Sequence, residues 1–184
     1  MDTAQLTFRR ARHADYPALV RLQQENLFSN LSKDELKDGF LSIAFTPEEF
    51  GAMNSDLAVV VAERGGTIVG YLCGTTCTYA RQFPILRALL DVLTETPVDG
   101  TFLTPSNTFI YGPVCVAKHA RGSGILAGLV RTLFDIARER YAFCALFIAD
   151  TNRRSLRAHL KLGMDDLRTF ELSGMTYHAL AMAL

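Results

Sequence analysis

A strand–helix–strand unit in the second half of the chain constrains the fold more than any other feature. Residues 109–117 have a strand pattern, residues 123–141 carry an apolar stripe at helical spacing, and residues 142–149 (AFCALFIA) are nearly all apolar. A short run without charged residues is typical of a strand buried on both faces. Two strands joined through a helix lie parallel with a right-handed crossover. The unit therefore predicts an α/β fold.

The rest of the chain alternates between strand and helix patterns, without internal repeats or linkers. Two apolar runs flank the turn Arg64-Gly65-Gly66-Thr67, which predicts a β-hairpin over residues 56–77. We expect a single domain with a mixed sheet and helices on both faces. The other predicted elements are a strand at 6–10, helices at 15–28, 32–41, 82–94 and 152–162, a helical turn from Thr46, and a closing hairpin of 167–172 with 175–184.

Composition narrows the classes of function. Lys and Arg number 19 and Asp and Glu number 19, so the formal net charge is 0, whereas a general nucleic-acid binder carries a basic surplus. No apolar run approaches the roughly 20 residues that span a bilayer, and the first ten residues do not resemble a secretory signal. We therefore expect a cytoplasmic protein that binds neither nucleic acid nor membrane.

Four cysteines lie in apolar, strand-like segments, and no CxxC pair occurs. This pattern predicts buried free thiols rather than a disulfide framework or a metal site.

The loop between the strand at 109–117 and the following helix is the clearest chemical motif. It contains Arg121, Gly122, Ser123 and Gly124 and continues into Ile125-Leu126. The first N–H groups of a helix have no intrahelical partner and carry the positive end of its dipole. Glycines allow an anion to approach the backbone closely, so the loop predicts a phosphate or pyrophosphate site.

Two other phosphate motifs are weaker matches. No P-loop string occurs. A dinucleotide-binding fingerprint is a minor alternative, because Gly122, Gly124 and Gly128 open a helix and Asp150 ends the next strand. The glycine spacing is GxGxxxG rather than GxGxxG, and only 34 residues follow Asp150, too few to complete a doubly wound sheet.

The chain resembles the GCN5-related N-acetyltransferase (GNAT) superfamily. Arg121-Gly122-Ser123-Gly124-Ile125 matches the family's Arg/Gln-x-x-Gly-x-Gly/Ala loop except at its last position, where Leu126 stands. Asn152, Ser155 and His159 precede Gly163-Met164 in the arrangement of the family's late helix, with Met164 in place of an aromatic residue. The resemblance covers the whole chain and implies a mostly antiparallel sheet and acetyl-CoA as cofactor, with no metal.

The resemblance also implies where the cofactor lies. In this family a central parallel strand pair splays apart and its exposed edge pairs with the pantetheine arm. By position, the edge is Val114-Cys115-Val116, and Pro113 disfavours continuous pairing there. The N–H groups of Val114 and Val116 are then candidates to bind the amide chain of the arm. Asn152 and Ser155 are then ligands of that arm, although Asn152 also fits an ordinary helix N-cap.

The implied reaction is attack of a neutral amine on the thioester in a ternary complex. His159 occupies the position of the tyrosine that protonates the leaving thiolate in many relatives, and a structural histidine is the alternative. Asp150, Glu63 and Tyr111 are candidates for the general base. His13, His119 and His178 are expected on the surface. Arg153, Arg154, Arg157 and Lys161 either meet a cofactor phosphate or form a solvated helix face.

We therefore predict an acetyl-CoA-dependent N-acetyltransferase for a small-molecule or peptide amine, with homodimerisation left open. A non-catalytic CoA-binding regulatory module is the second hypothesis. Residues 80–108 form an insertion between two strands, and its Phe102 and Asn107 are expected to enter the sheet near the thioester and wall the acceptor site. The alternative is a structural segment that only extends the core or a dimer contact.

Overall fold

A computed structural model describes residues 5–184. The strands are Leu6–Arg10 (β1), Ala58–Arg64 (β2), Thr67–Thr76 (β3), Thr108–Val116 (β4), Phe143–Ala149 (β5), Asp165–Leu172 (β6) and Met175–Ala183 (β7). The α-helices are Tyr16–Gln24 (α1), Pro47–Asp56 (α2), Cys77–Ala80 (α3), Pro84–Glu95 (α4), Ile125–Ala137 (α5) and Arg153–Lys161 (α6). Four short 3₁₀ turns lie at His13–Asp15, Phe28–Asn30, Glu35–Asp38 and Lys118–Ala120.

The seven described strands form one sheet in the order β1-β2-β3-β4-β5-β7-β6. Neighbours are antiparallel except β4 and β5, which are parallel and joined through α5. The predicted α/β architecture is therefore confirmed, including the central parallel pair.

Helices cover both faces of this sheet. Helix α5 packs so closely on β1 that a Cβ at Gly128 would lie 2.1 Å from the Phe8 ring, which explains a glycine here. On the opposite face, Phe50 of α2 meets Tyr71 of β3 edge to face at 5.3 Å. The fold thus places α5 on one side of the central strands and α1 and α2 on the other.

Two predicted helices are shorter than expected. Helix α1 ends at Gln24 because the chain turns to pair with itself: the Phe28 N–H donates to the Leu41 carbonyl, and the Leu41 N–H to the Asn26 carbonyl. The region predicted as a helix at 32–41 contains only the 3₁₀ turn Glu35–Asp38. Local capping by Ser32 is present, but these long-range bonds prevent a regular helix from continuing.

Helix α4, in the segment at 80–108, buries its apolar face against the sheet. Leu89 and Leu93 pack in a cluster with Ala145, Ala179 and Ala181 of β5 and β7. The four cysteines are buried free thiols, as predicted. Within residues 5–184, no helix combines the length and apolar character needed to cross a bilayer.

Candidate active site

The parallel strands β4 and β5 separate after three paired positions. Pairing runs from Thr108 with Phe143 to Ile110 with Ala145 and then stops, although β4 continues to Val116. On its other side β4 carries one extra residue at Gly112-Pro113, because Tyr111 pairs with Gly74 while Val114 pairs with Leu72. Such a bulge bends a strand and re-aims its side chains. The expected splay is confirmed.

The separated edge of β4 presents free backbone groups. The Ala117 N–H donates to Val69 on the β3 side, and the direction of N–H groups alternates along a strand. Cys115 therefore also points to β3, whereas the N–H groups of Val114 and Val116 point into the gap. Val114 and Val116 are the two residues whose N–H groups the sequence suggested as donors, and Cys115 between them faces β3.

The loop after β4 forms an open cradle. Gly122 and Gly124 have φ of 78° and 79°, a backbone region that favours glycine, and a Cβ at either would meet nothing within 4 Å. In the part of the chain that the structure describes, no hydrogen bond engages the backbone N–H groups of residues 122–127. Ser123 instead donates its hydroxyl to the Ala120 carbonyl. The cradle thus offers several unpaired donors at the N-terminus of α5.

A cleft of about 560 Å³ joins this cradle to the gap between β4 and β5. Its charged lining is mostly basic, which suits a ligand with phosphate groups. It comprises Arg121, Arg154, Arg157 and Lys161 against Asp38.

Arg121 holds the wall of this cleft rather than facing freely into it. Its guanidinium donates to the Val116 carbonyl at 3.0 Å, the Asp38 carbonyl at 2.6 Å and Asn26 Oδ1 at 2.6 Å. These bonds tie the segment at 26–38 to the edge of β4. Ion pairs of Lys118 with Glu35 and of Arg154 with Asp38, both at 2.6 Å, add to this connection.

Asn152 precedes α6 but does not cap it. Its side chain makes no capping bond; Nδ2 donates to the Phe40 carbonyl at 3.0 Å, and Oδ1 is buried without a partner. The residue is 7% exposed and lines the cleft. A buried unpaired acceptor is costly, so its position beside the gap indicates a site for a ligand N–H group.

His159 and Tyr111 meet where β4 and β5 separate. His159 Nε2 lies 3.2 Å from the Tyr111 hydroxyl, and Nδ1 lies 2.8 Å from the Ser155 carbonyl. Because a carbonyl only accepts, Nδ1 carries the proton and Nε2 accepts from the hydroxyl. Burial lowers the pKa of His159 and raises that of Tyr111 well above its ordinary value. The pair is thus a neutral imidazole and a protonated phenol.

The carboxylates named from the sequence lie elsewhere. Asp150 lines neither this cleft nor the cavity described next; it contacts His178 Nε2 at 2.9 Å and Arg153 at 2.8 Å. Glu63 pairs with Arg9 on β1. His178, expected on the surface, has a side chain only 12% exposed because Asp150 and Asp166 enclose it.

A second cavity, of about 140 Å³, opens from the same gap. It is lined by Tyr111 and His159 on one side of the sheet and by the start of α4 with residues 40–45 on the other. Phe102 and Asn107 do not line it, although Phe83, Ile85 and Leu86 of the same segment at 80–108 do. Chain segment 102–107 enters β4 at Thr108, the end still paired with β5, whereas the gap lies at the opposite end.

Residues 40–45 were missed by sequence reasoning as part of the site. They have no motif, since long-range bonds to Asn26, Phe28 and Gln23 place them. The only sequence feature that could have indicated this part of the site is its apolar residues, which follow neither a helical nor a strand period: Phe40, Leu41, Ile43 and Phe45.

Comparison with protein families resolves what this arrangement represents. The model of the acetyltransferase (GNAT) family matches residues 17–164. The chain belongs to this family. A sequence comparison with curated proteins gave no match.

Solved GNAT structures share the fold of the whole chain. An N-acetyltransferase from Staphylococcus aureus Mu50 has a TM-score of 0.67 at 16% identity, covering 98% of this chain and 99% of the other. A putative acetyltransferase from Salmonella typhimurium, solved with its cofactor acetyl-CoA, has a TM-score of 0.65 at 18% identity, covering 97% of this chain and 94% of the other. A ribosomal-protein-alanine N-acetyltransferase from Brucella melitensis has a TM-score of 0.63 at 24% identity, covering 97% of this chain and 99% of the other.

The GNAT family uses acetyl-CoA, and the residues present fit this group. The unpaired N–H groups at 122–127 suit a pyrophosphate, and the open edge at Val114 and Val116 with Asn152 Oδ1 suits an amide chain. Within residues 5–184, no cluster of three or more His, Cys, Asp or Glu could hold a metal ion. Gly128, the third glycine of the alternative dinucleotide-binding motif, packs against the Phe8 ring and therefore does not face a ligand.

Proposed function

We propose that this GNAT protein transfers an acetyl group from acetyl-CoA to a primary amine in a ternary complex. The observation that carries the proposal is the single cleft that joins the unpaired N–H groups at 122–127 to the buried, unpartnered Oδ1 of Asn152. Bound acetyl-CoA would supply the activated acetyl group. The acceptor is a small-molecule or peptide amine, and homodimerisation and a cytoplasmic location stay predictions from the sequence.

In this proposal the protein orients the reactants and holds one proton. The edge of β4 and Asn152 fix the amide arm, so the reacting end reaches the junction of the two cavities. Tyr111 stays protonated at neutral pH because burial raises its pKa. We propose that its hydroxyl turns from His159 Nε2 to the sulfur and gives the released thiolate its proton. The reaction forms a C–N bond, breaks the C–S bond, and moves one proton from nitrogen through solvent back to Tyr111.

His159 has a different part from the one expected from its position. Its Nε2 accepts the Tyr111 hydroxyl and its Nδ1 proton is held by Ser155, so the neutral ring has no proton free for the sulfur. We propose that His159 is a positioning residue for Tyr111. Asp150, held by His178 and Arg153, has no role in this proposal.

A non-catalytic CoA-binding module is the second candidate, and one observation favours it. Both ring nitrogens of His159 are engaged inside the protein, as in a purely structural histidine. Two measurements separate the candidates: the melting temperature with acetyl-CoA, and CoA release with a panel of amines. Binding stabilises the folded state in both cases. CoA release that requires an amine supports the enzyme, binding without release supports the module, and absence of both contradicts the shared cofactor site.

A further inference from the structure

The 140 Å³ cavity beside Tyr111 has an unusual lining for an amine site. Among the described residues, no Asp, Glu, Lys or Arg contributes to it, and its polar groups are hydroxyls, Asn152 and the neutral His159. The part away from the cofactor cleft is built from apolar and aromatic side chains. They are Ile43, Phe45, Met53, Tyr79, Phe83, Ile85, Leu86 and Phe147.

The aromatic rings in this lining form one wall. Phe83 meets Phe45 edge to face at 6.1 Å and lies 6.1 Å from Tyr79. Phe45 is fixed at its backbone by buried Gln23, whose Oε1 accepts the Phe45 N–H at 2.9 Å. A wall held in this way is a preformed apolar surface, which favours binding of an aromatic or branched aliphatic group.

The size and charge of the cavity select between acceptor classes. An apolar cavity of about 150 Å³ in a protein core takes a single benzene ring, so this one has room for one such group. A polyamine or aminoglycoside would bring several ammonium groups into a space with no carboxylate, and unpaired buried charges are strongly unfavourable. A peptide acceptor would need room for residues beyond the first.

We propose that the acceptor is a small monoamine with one aromatic or branched apolar group, which enters this cavity with its nitrogen toward Tyr111. This inference rests on the proposed acetyltransferase function and names its substrate class. An uncharged cavity also lowers the pKa of a buried amine, because desolvation disfavours the ammonium form. The cavity thus favours the neutral nucleophile without a carboxylate base, consistent with the position of Asp150 outside it.

Binding of named amines to the full chain with CoA present tests the proposal. Isothermal titration with 2-phenylethylamine and isopentylamine should give saturable binding at least 10-fold tighter than with putrescine or spermidine, and the first two should be acetylated. Ile43→Glu, at an exposed position in the lining, should weaken 2-phenylethylamine at least 10-fold. Leu86→Glu is the second variant for the same effect. Leu160→Glu, an exposed leucine that lines neither cavity, is the matched control and should bind like wild type.

Three outcomes overturn the substrate class: tighter binding of the polyamines, acetylation of Phe-initiated peptides but not of free amines, or no binding of either monoamine. Each of these leaves acetyl-CoA binding intact, so it contradicts the acceptor proposal alone. Loss of the acetyl-CoA melting shift in the wild-type protein would instead contradict the proposed function.

Discussion

His159 Nε2 accepts a hydrogen bond from the Tyr111 hydroxyl across 3.2 Å, at the point where strands β4 and β5 part. One residue comes from α6 and the other from β4, 48 positions apart. The bond fixes the hydroxyl at the junction of the 560 Å³ cleft and the 140 Å³ cavity, since both residues line the cavity and His159 also lines the cleft. This pair is where we expect acetyl transfer to be most sensitive to substitution.

Removing the Tyr111 hydroxyl should slow turnover without weakening cofactor binding. Tyr111→Phe keeps the ring and removes the proton donor, so kcat should fall on the order of 10²-fold while the Kd of acetyl-CoA stays within about 2-fold. His159→Ala should lower kcat similarly, and His159→Gln should recover part of the rate because its amide oxygen accepts the hydroxyl. Steady-state kinetics measure kcat, and titration with acetyl-CoA measures Kd. An unchanged kcat in Tyr111→Phe would show that Tyr111 and His159 have only a structural role.

A charge in the glycine cradle should abolish cofactor binding. In Gly124→Asp, a Cβ and a carboxylate occupy the open space beside the unpaired N–H groups, and they repel a pyrophosphate. We expect no rise in melting temperature with acetyl-CoA. Gly174→Asp is the matched control, because Gly174 has a similar φ of 74° and open surroundings in the β6–β7 turn, so it carries the same backbone strain. A normal melting shift in Gly124→Asp would refute the cradle.

The unpartnered oxygen of Asn152 should matter more for binding than for folding. Asn152→Ala removes a buried unsatisfied acceptor together with one hydrogen bond to Phe40, so the two changes in unfolding free energy, each about 1 kcal/mol, oppose each other. The Kd of acetyl-CoA should rise about 10-fold, the equivalent of one lost hydrogen bond. Titration calorimetry and urea unfolding measure the two effects; a large loss of stability with unchanged Kd would show an exclusively structural residue.

His178 should make stability depend on pH. Burial lowers its pKa, but hydrogen bonds with Asp150 and Asp166 outweigh burial and raise the pKa above its ordinary value. A raised folded-state pKa stabilises the protein fully below the unfolded value of about 6.5, and this contribution is lost as pH rises through the folded pKa. Arg153 also pairs with Asp150, at 2.8 Å.

The melting temperatures of wild type and His178→Gln measure this effect. The advantage of wild type should be largest at pH 6 and shrink towards pH 8.5. His119→Gln, the same chemical change at an exposed loop position, is the matched control. A wild-type advantage that grows with pH would show that His178 is held neutral rather than charged.

Local patterns in the sequence determined much of the fold and of the cofactor side of the site. The apolar run at 142–149, the amphipathic helix before it and the glycine turn at 122–124 each reflect short-range physics, namely burial period and backbone freedom. These elements lie within a few residues of their predicted bounds. The family motif also pointed to Asn152, because this residue directly follows the strand–helix–strand unit that contains the glycine loop.

Only the tertiary structure assembled the cavity that we propose for the acceptor. Phe45 and Phe83 are 38 positions apart and meet because α2, α4 and the loop at 40–45 pack on one face of the sheet. The direction in which β4 and β5 open keeps Phe102 and Asn107 away from the cavity. Contacts with His178 and Arg153 hold Asp150 outside it. Likewise the contact of His159 with Tyr111 of β4 joins residues 48 positions apart, whereas the His159 tautomer is set locally by the Ser155 carbonyl. Contacts between distant segments depend on how whole elements pack, and no local period or spacing encodes that packing.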